Sequence, residues 1–130
     1  MVTSIICIIS GKTMTRPLRD EEIEIIKRIA KMLESTLKNQ LLADLKAARA
    51  MIAHPDGSII RFELENYARP SFEGQRPYPF EMKVRDNDGV ELDIILFADQ
   101  NGRLYELEYI RYRDGPVLGP DWTTLKLAVS

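Results

Sequence analysis

Apolar residues in the first third of the chain repeat every three or four positions, which predicts two amphipathic helices. The first helix is expected to begin near Asp20, where three acidic residues complement the helix dipole, and to run for about four turns. Its N-cap is undefined, because Arg19 stands where a serine or threonine is usual. The second helix is predicted to end near residue 48, with Ser35 or Asn39 as its cap and with Asp44 facing outward.

The pattern then changes to the alternation of apolar and polar residues that is typical of strands. Turn residues at 55–58, 87–89 and 99–103 divide this part of the chain into hairpins. The proline-rich loop at 66–79 is long for a connection, so it either carries function or wraps a sheet edge. The predicted strands cover residues 49–54, 59–65, 80–86, 90–98 and 104–113.

The register of the last three predicted strands supports an antiparallel meander. Closing the turn at 87–89 with glycine in the left-handed conformation places Val84 opposite Leu92. Closing the next turn over two residues places Ala98 opposite Tyr105. Both hairpins put the same row of the middle strand on one face, and a slip of one residue would mix charges into that row. The expected core face consists of Phe80, Met82, Val84, Val90, Leu92, Ile94, Leu96, Tyr105, Leu107 and Tyr109.

These elements predict a single α+β domain over residues 1–130, with two N-terminal helices packed on one face of an antiparallel β-meander of about five strands. Residues 1–13 are interpreted either as an edge strand or as an extension ahead of a start at Met14. Residues 114–130 are expected to form a tail. Its Trp122 is interpreted as a latch into the core, with an interface anchor as the alternative.

Charge and cysteine content narrow the expected partners and compartment. The chain has 18 basic and 20 acidic residues, a net charge of −2, and no basic stripe, so neither nucleic acid nor a membrane surface is expected as a partner. Cys7 is the one cysteine, which rules out an internal disulfide and fits the cytoplasm. No apolar run approaches the roughly 20 residues that cross a bilayer.

Residue types that carry catalysis are scarce. His54, the single histidine, is interpreted as a turn-flanking residue, and one histidine with one cysteine is too few ligands for a zinc site. The run Asp86-Asn87-Asp88-Gly89 resembles the start of a calcium loop, but Val90 stands where the fifth position needs an oxygen ligand. No glycine loop of the phosphate-binding type occurs. We therefore expect no catalytic residue, no metal site and no cofactor.

The candidate binding surface is the face of the sheet opposite the core. It carries four carboxylates on two predicted neighbouring strands, with apolar residues among them. One interpretation is a solvated face with ion pairs to Lys83 and Arg85, and another is a metal site or an acid–base pair. The apolar residues favour an interface with another protein or with a second copy of the chain. The proposed binding residues are Glu91, Asp93, Ile95, Phe97, Glu106 and Glu108.

Short motifs also suggest a family. Arg16-Pro17-Leu18 leads into the acidic helix start, and the chain later reads Leu104-Tyr105-Glu106-Leu107-Glu108 and then Asp114-Gly115-Pro116. Over residues 16–118 the chain resembles a group of small bacterial domains of unknown function that open with Arg-Pro-Leu and close with a Gly-x-Leu-x-Glu-Leu strand. The resemblance carries over no catalytic residue.

The function predicted from these observations is that of a non-enzymatic protein-binding module, whose partner is another protein or a second copy. Two alternatives remain open. One is a metal-dependent enzyme that uses the carboxylates of the sheet face. The other is a small-molecule sensor with a pocket between the helices and the sheet.

Overall fold

The computed structural model describes residues 14–128, so the predictions for residues 1–13 lie outside it. Helix α1 spans Asp20–Met32 and helix α2 spans Ser35–Ala47. Glu22 closes the start of α1, since its carboxylate accepts a hydrogen bond from the Arg19 backbone N–H at 2.8 Å. Glu34 caps α2, because its carboxylate accepts the N–H groups of Thr36 and Leu37. The prediction of Ser35 or Asn39 as that cap was wrong. No helix of the described residues is long and apolar enough to cross a membrane.

The strands are β1 (Ala48–Ile52), β2 (Ile59–Leu64), β3 (Arg76–Pro77), β4 (Glu81–Arg85), β5 (Glu91–Ala98), β6 (Leu104–Arg111) and β7 (Asp121–Ala128). They form one antiparallel sheet in which the order along the main path is β1-β2-β6-β5-β4-β7, and the short strand β3 pairs with the end of β5. The α+β class and the position of the helices at the N-terminal end are confirmed, while the sheet has seven strands rather than about five.

The additional edge strand comes from the predicted tail. Residues 121–128 pair antiparallel with β4, with Met82 opposite Leu127. The prediction that residues 114–130 form a tail was therefore wrong for this part. Trp122 packs against the core, where its ring meets that of Tyr109 edge-on at 5.9 Å, which confirms the latch.

The register of the central hairpins is confirmed except at one point. Val84 lies opposite Leu92 and Leu96 lies opposite Leu107. A β-bulge at the start of β6 pairs Ala98 with Leu104 instead of Tyr105. As a consequence, Leu104 occupies the core position that the two-residue turn assigned to Tyr105, and it is fully buried. Tyr105 is buried, as predicted, but it lies outside the core cluster, and its ring packs against the guanidinium groups of Arg61 and Arg69.

The core lies between the helices and one face of the sheet. Ile25, Ile26 and Ile29 of α1 and Leu41 of α2 are inaccessible to solvent. Asp44 of α2 is also buried, which contradicts its predicted outward position. Its carboxylate accepts hydrogen bonds from Arg103, from Gln40 and from the Leu104 N–H, so the charge is fully paired.

Candidate functional site

The structure places the predicted binding residues on the face of the sheet that the helices leave uncovered, which we call the back face. On β5 and β6, Ile95 lies opposite Glu108, and Phe97 lies opposite Glu106. Glu91 and Asp93 lie nearer the start of β5, opposite Arg85 and Lys83 of β4. The back face is defined here by Ile59, Arg61, Lys83, Glu91, Asp93, Ile95, Phe97, Glu106, Glu108 and Ile110.

Three of the four predicted carboxylates have cationic partners. Lys83 on β4 contacts Asp93 and lies 3.6 Å from Glu91. Arg61 on β2 donates to Glu106 from its Nε at 2.9 Å. These contacts correspond to the cross-strand ion pairs expected of a sheet face.

Glu108 is the exception. It lies between Ile59 on β2 and Ile95 on β5, and it is half-buried. Among residues 14–128, no lysine or arginine reaches ion-pair distance of its carboxylate. Partial burial raises the pKa of Glu108, and the neighbouring charge of Glu106 raises it further. A half-buried carboxylate that repels its neighbour and has no cation is unfavourable for folding.

The four carboxylates do not form a metal site. Glu91 and Asp93 lie near the start of β5. Glu106 and Glu108 lie on β6, opposite the apolar side chains Phe97 and Ile95 of β5. Within the described part of the chain, no group of three or more histidine, cysteine or acidic side chains could hold a metal ion. The arrangement therefore gives no support to the metal-dependent enzyme.

A second polar feature lies on the other side of the sheet, in a cavity of about 290 Å³ beside the start of α1. We call it the α1 cavity. The side chains that give it chemical character come from four separated segments. They are Arg16, Arg19, Glu21 and Glu22 near α1, Asp56 and Ile60 at the β1–β2 hairpin, Tyr109 of β6, and Val117, Leu118 and Trp122 near the end of the chain.

Tyr109 forms the buried part of this cavity. The residue is 8% exposed, and its hydroxyl is not among the buried groups that lack a hydrogen-bond partner within residues 14–128, so it is open to solvent in the cavity. Burial raises the pKa of Tyr109, and the carboxylates of Glu22 and Glu21 raise it further. The phenol is therefore protonated across the physiological range and is able to donate a hydrogen bond into the cavity.

Arg16 lies beside it and is held by Glu22. Its two terminal nitrogens donate to the Glu22 carboxylate at 2.9 and 2.7 Å, and this contact raises the pKa of Arg16. The third nitrogen, Nε, is buried without a hydrogen-bond partner in the described structure. Arg16 Nε has no accessible surface, so of these two groups only the Tyr109 hydroxyl is open to the cavity.

The wall formed by residues 117–119 is fixed by Asp86 in the β4–β5 turn. The Asp86 carboxylate accepts the N–H groups of Leu118 at 3.0 Å and Gly119 at 2.8 Å, and it pairs with Arg111 at 2.9 Å. Burial by itself would raise the pKa of Asp86, but these hydrogen bonds outweigh it and lower the pKa. The run 86–89 is thus a hairpin turn that anchors the cavity wall, with Gly89 in the left-handed conformation.

The sequence predicted the back face, but it gave no signal for the α1 cavity. The cavity joins residues that are about a hundred positions apart along the chain, and single residues such as Arg16 and Tyr109 match no motif. The one usable signal was Trp122, whose assignment as a core latch implies a contact near the C-terminal end.

The fold is that of a small α+β domain with two polar features, the back face and the α1 cavity, on opposite sides of its sheet. The chain belongs to a family described as a domain of unknown function, DUF6984, whose model matches residues 15–119. This confirms the expectation of a domain family of unknown function, over nearly the predicted range. Comparison with curated proteins and with solved structures found no match.

Proposed function

We propose that this domain is a non-enzymatic protein-binding module whose partner covers the back face and places a lysine or arginine against Glu108. The observation that carries the proposal is the unpaired state of Glu108 beside three carboxylates that all have cationic partners. Natural sheets pair such charges across strands, so one unpaired carboxylate between apolar residues is best explained by a cation from another molecule.

The apolar residues around Glu108 support the same conclusion. Ile59, Ile95, Phe97 and Ile110 lie outside the core cluster and are only partly buried. A purely solvated face does not need them, whereas the centre of a protein interface is apolar and often contains aromatic anchors. Glu108 lies among them, so a partner that buries the apolar residues must also neutralise this charge.

No described segment of the chain covers the centre of this face. Both helices pack on the opposite face, and β7 extends the sheet beside β4. The single cysteine fits a cytoplasmic protein, and the resemblance to small bacterial domains implies a bacterial one, so we include the bacterial cytoplasm in the proposal.

Site-specific crosslinking from the back face tests the proposal on the full chain in cells. Phe97 is replaced by benzoylphenylalanine, and the same substitution at Met32, which is 47% exposed at the end of α1, serves as the control position. We expect one protein to crosslink from position 97 and not from position 32, because only position 97 lies on the proposed interface.

A charge reversal then tests the role of Glu108. Glu108→Lys should abolish that crosslink, since it places a cation against the partner's cation at a cost of several kcal/mol. Glu65→Lys makes the same change at an exposed position and should leave the crosslink intact. The proposal fails if the crosslink survives Glu108→Lys. It also fails if position 97 crosslinks only to residues 1–13 or to a second copy, because then the chain itself covers the face.

A further inference from the structure

A groove opens between the two helices, where α1 begins and α2 ends. Its floor is apolar, with Leu18 and Ile23 on the side of α1 and Leu42 and Leu45 on the side of α2. We call it the helix groove. Its volume of about 510 Å³ lies within the roughly 300–1,000 Å³ range of ligand pockets, so it is large enough for one small organic molecule. It shares no residue with the back face or the α1 cavity.

The floor of the helix groove leaves apolar surface in contact with solvent. Leu18, Leu42 and Leu45 pack against the core cluster but are only partly buried, and Ile23 is also partly buried. Single apolar side chains are ordinary on a protein surface, whereas several that meet in one groove form a patch that another molecule can cover. Covering it is favourable in proportion to the apolar area removed from water.

The rim of the helix groove carries three cations. Lys27 comes from α1, Lys46 from the last turn of α2 and Arg49 from β1, and all three are exposed. None of the described residues that line the groove is acidic. The groove therefore combines an apolar floor with a rim of one sign of charge, which favours an anion with an apolar body.

The acidic residues near these cations are engaged elsewhere. Glu24, on the same helix as Lys27, pairs with Arg28 at 2.6 Å. Asp44 of α2 is buried and pairs with Arg103 at 2.8 Å. Residues 1–13 and 129–130 contain no acidic side chain, so they do not supply the missing charge either.

The guanidinium of Arg49 is held at the groove by neutral acceptors. Its Nε donates to Thr15 Oγ1 at 2.9 Å, and a terminal nitrogen donates to the Thr15 carbonyl oxygen at 3.3 Å. Glu63 lies opposite Arg49 on β2, but the two side chains form no ion pair. A guanidinium has more N–H donors than these two contacts use, so Arg49 keeps its charge and further donors for a ligand.

We propose that the helix groove binds an amphiphilic anion, a molecule such as a fatty acid that joins an apolar chain to a carboxylate. The chain lies on the floor formed by the leucines and Ile23. The carboxylate lies at the rim, where it accepts hydrogen bonds from Arg49 and from the ammonium groups of Lys27 and Lys46.

Three probes with the same apolar chain test the charge preference. Octanoate, octan-1-ol and octylamine are titrated separately against the full chain by calorimetry. We expect saturable binding of octanoate, at least about tenfold weaker binding of the alcohol, and no saturable binding of the amine. Methyl spectra of the leucines locate the site, since the signals of Leu42 and Leu45 should shift with octanoate.

A series of chain lengths tests the apolar floor. From hexanoate to octanoate to decanoate, the affinity should rise by up to about fourfold for each added CH₂ group, because each one buries further apolar surface. Equal affinity across the series would show that only the charge is recognised, and the proposal would then fail.

A charge reversal with a matched control tests the rim. Lys46→Glu should weaken octanoate binding by at least about tenfold and leave octan-1-ol binding unchanged, which also shows that the groove is still folded. Lys38→Glu makes the same change near the start of α2, at a residue that does not line the groove, and should leave both affinities unchanged.

The opposite results would overturn the proposal. Binding of octylamine as tight as that of octanoate would show that the rim charge is not read. Equal weakening by Lys46→Glu and Lys38→Glu would show attraction to the helices in general. No saturable response to octanoate at about 10 mM, or shifts confined to residues outside the groove, would show that the groove is not a site for this class of ligand.

Discussion

Replacing Asp86 with alanine should release the wall of the α1 cavity and destabilise the whole domain. The Asp86 side chain is fully buried and accepts hydrogen bonds from Asn87, Leu118, Gly119 and Arg111. Hydrogen bonds to a charged group contribute about 1.5–3 kcal/mol each when the donors stay buried. Here the three backbone donors belong to exposed residues and regain water on mutation, so each contributes about 0.5–1 kcal/mol.

The Arg111 side chain sets the rest of the magnitude. It is 9% exposed, and Asp88 still pairs with it at 2.6 Å when Asp86 is absent. We therefore assign about 1 kcal/mol to its loss, which gives a total of about 3 kcal/mol for Asp86→Ala. For a domain of this length that corresponds to a fall of about 10 °C in the melting temperature.

Urea unfolding followed by circular dichroism and by Trp122 fluorescence measures this effect. The unfolding midpoint should fall while the slope stays unchanged, because the change weakens the folded state without altering the surface exposed on unfolding. Asp114→Ala, at an exposed aspartate without an ion pair among residues 14–128, is the control and should change stability by less than about 0.5 kcal/mol. A loss below about 1 kcal/mol for Asp86→Ala would refute the reasoning.

The pH dependence gives an independent check on Asp86. Its pKa is lowered on folding from an ordinary value of 3.8, so the stability that it contributes is present above about pH 4. That contribution is lost as the pH falls through the lower, folded-state pKa. The difference between the wild-type protein and Asp86→Ala should therefore shrink on acidification below pH 4 and remain constant from pH 5 to 8. A constant difference down to pH 2 would show that the charge of Asp86 is not what stabilises the fold.

Two further substitutions have calculable effects. Asp44→Ala leaves the buried N–H of Leu104 without an acceptor and Arg103 without its partner. Urea unfolding should therefore show a loss of about 3 kcal/mol in the free energy of unfolding. A loss under about 1 kcal/mol would contradict this role of Asp44. Glu108→Gln removes a carboxyl group whose pKa is raised on folding, so the free energy of unfolding should rise by up to about 1 kcal/mol at pH 7. It should not change at pH 3, where the carboxyl is protonated. A loss of stability at pH 7 would show that Glu108 has a partner.

The sequence predicted those parts of the fold that depend on local patterns. Helix α1, the turns and the pairing of Val84 with Leu92 all follow from periodicity and from glycine positions within a few residues. The bulge that places Tyr105 outside the core cluster does not follow from local patterns. The Tyr105 ring packs against Arg61 and Arg69, whose Cζ atoms lie 5.3 and 4.9 Å from the ring centre. That arrangement depends on residues more than 30 positions away.

Asp44 illustrates the same limit for charge. Read locally, an aspartate on a helix with low amphipathicity is assigned to the solvent side. Its burial follows from Arg103 and from the Leu104 N–H, which come from the β5–β6 turn about 60 residues later. The α1 cavity could not be predicted for the same reason, since Arg16, Tyr109 and Trp122 meet only in the folded chain.

The buried carboxylates of this domain are almost completely hydrogen-bonded. Asp44 and Asp99 are each 2% exposed or less, and each accepts several hydrogen bonds. Among the described residues, Arg16 Nε is the one buried side-chain atom without a hydrogen-bond partner, and Glu108 is a half-buried carboxylate without an ion pair. Glu108 and Tyr109 are consecutive in β6, so alternation along that strand points one to the back face and the other into the α1 cavity. The same strand therefore contributes Glu108 to the back face, which we propose as a binding surface, and Tyr109 to the α1 cavity.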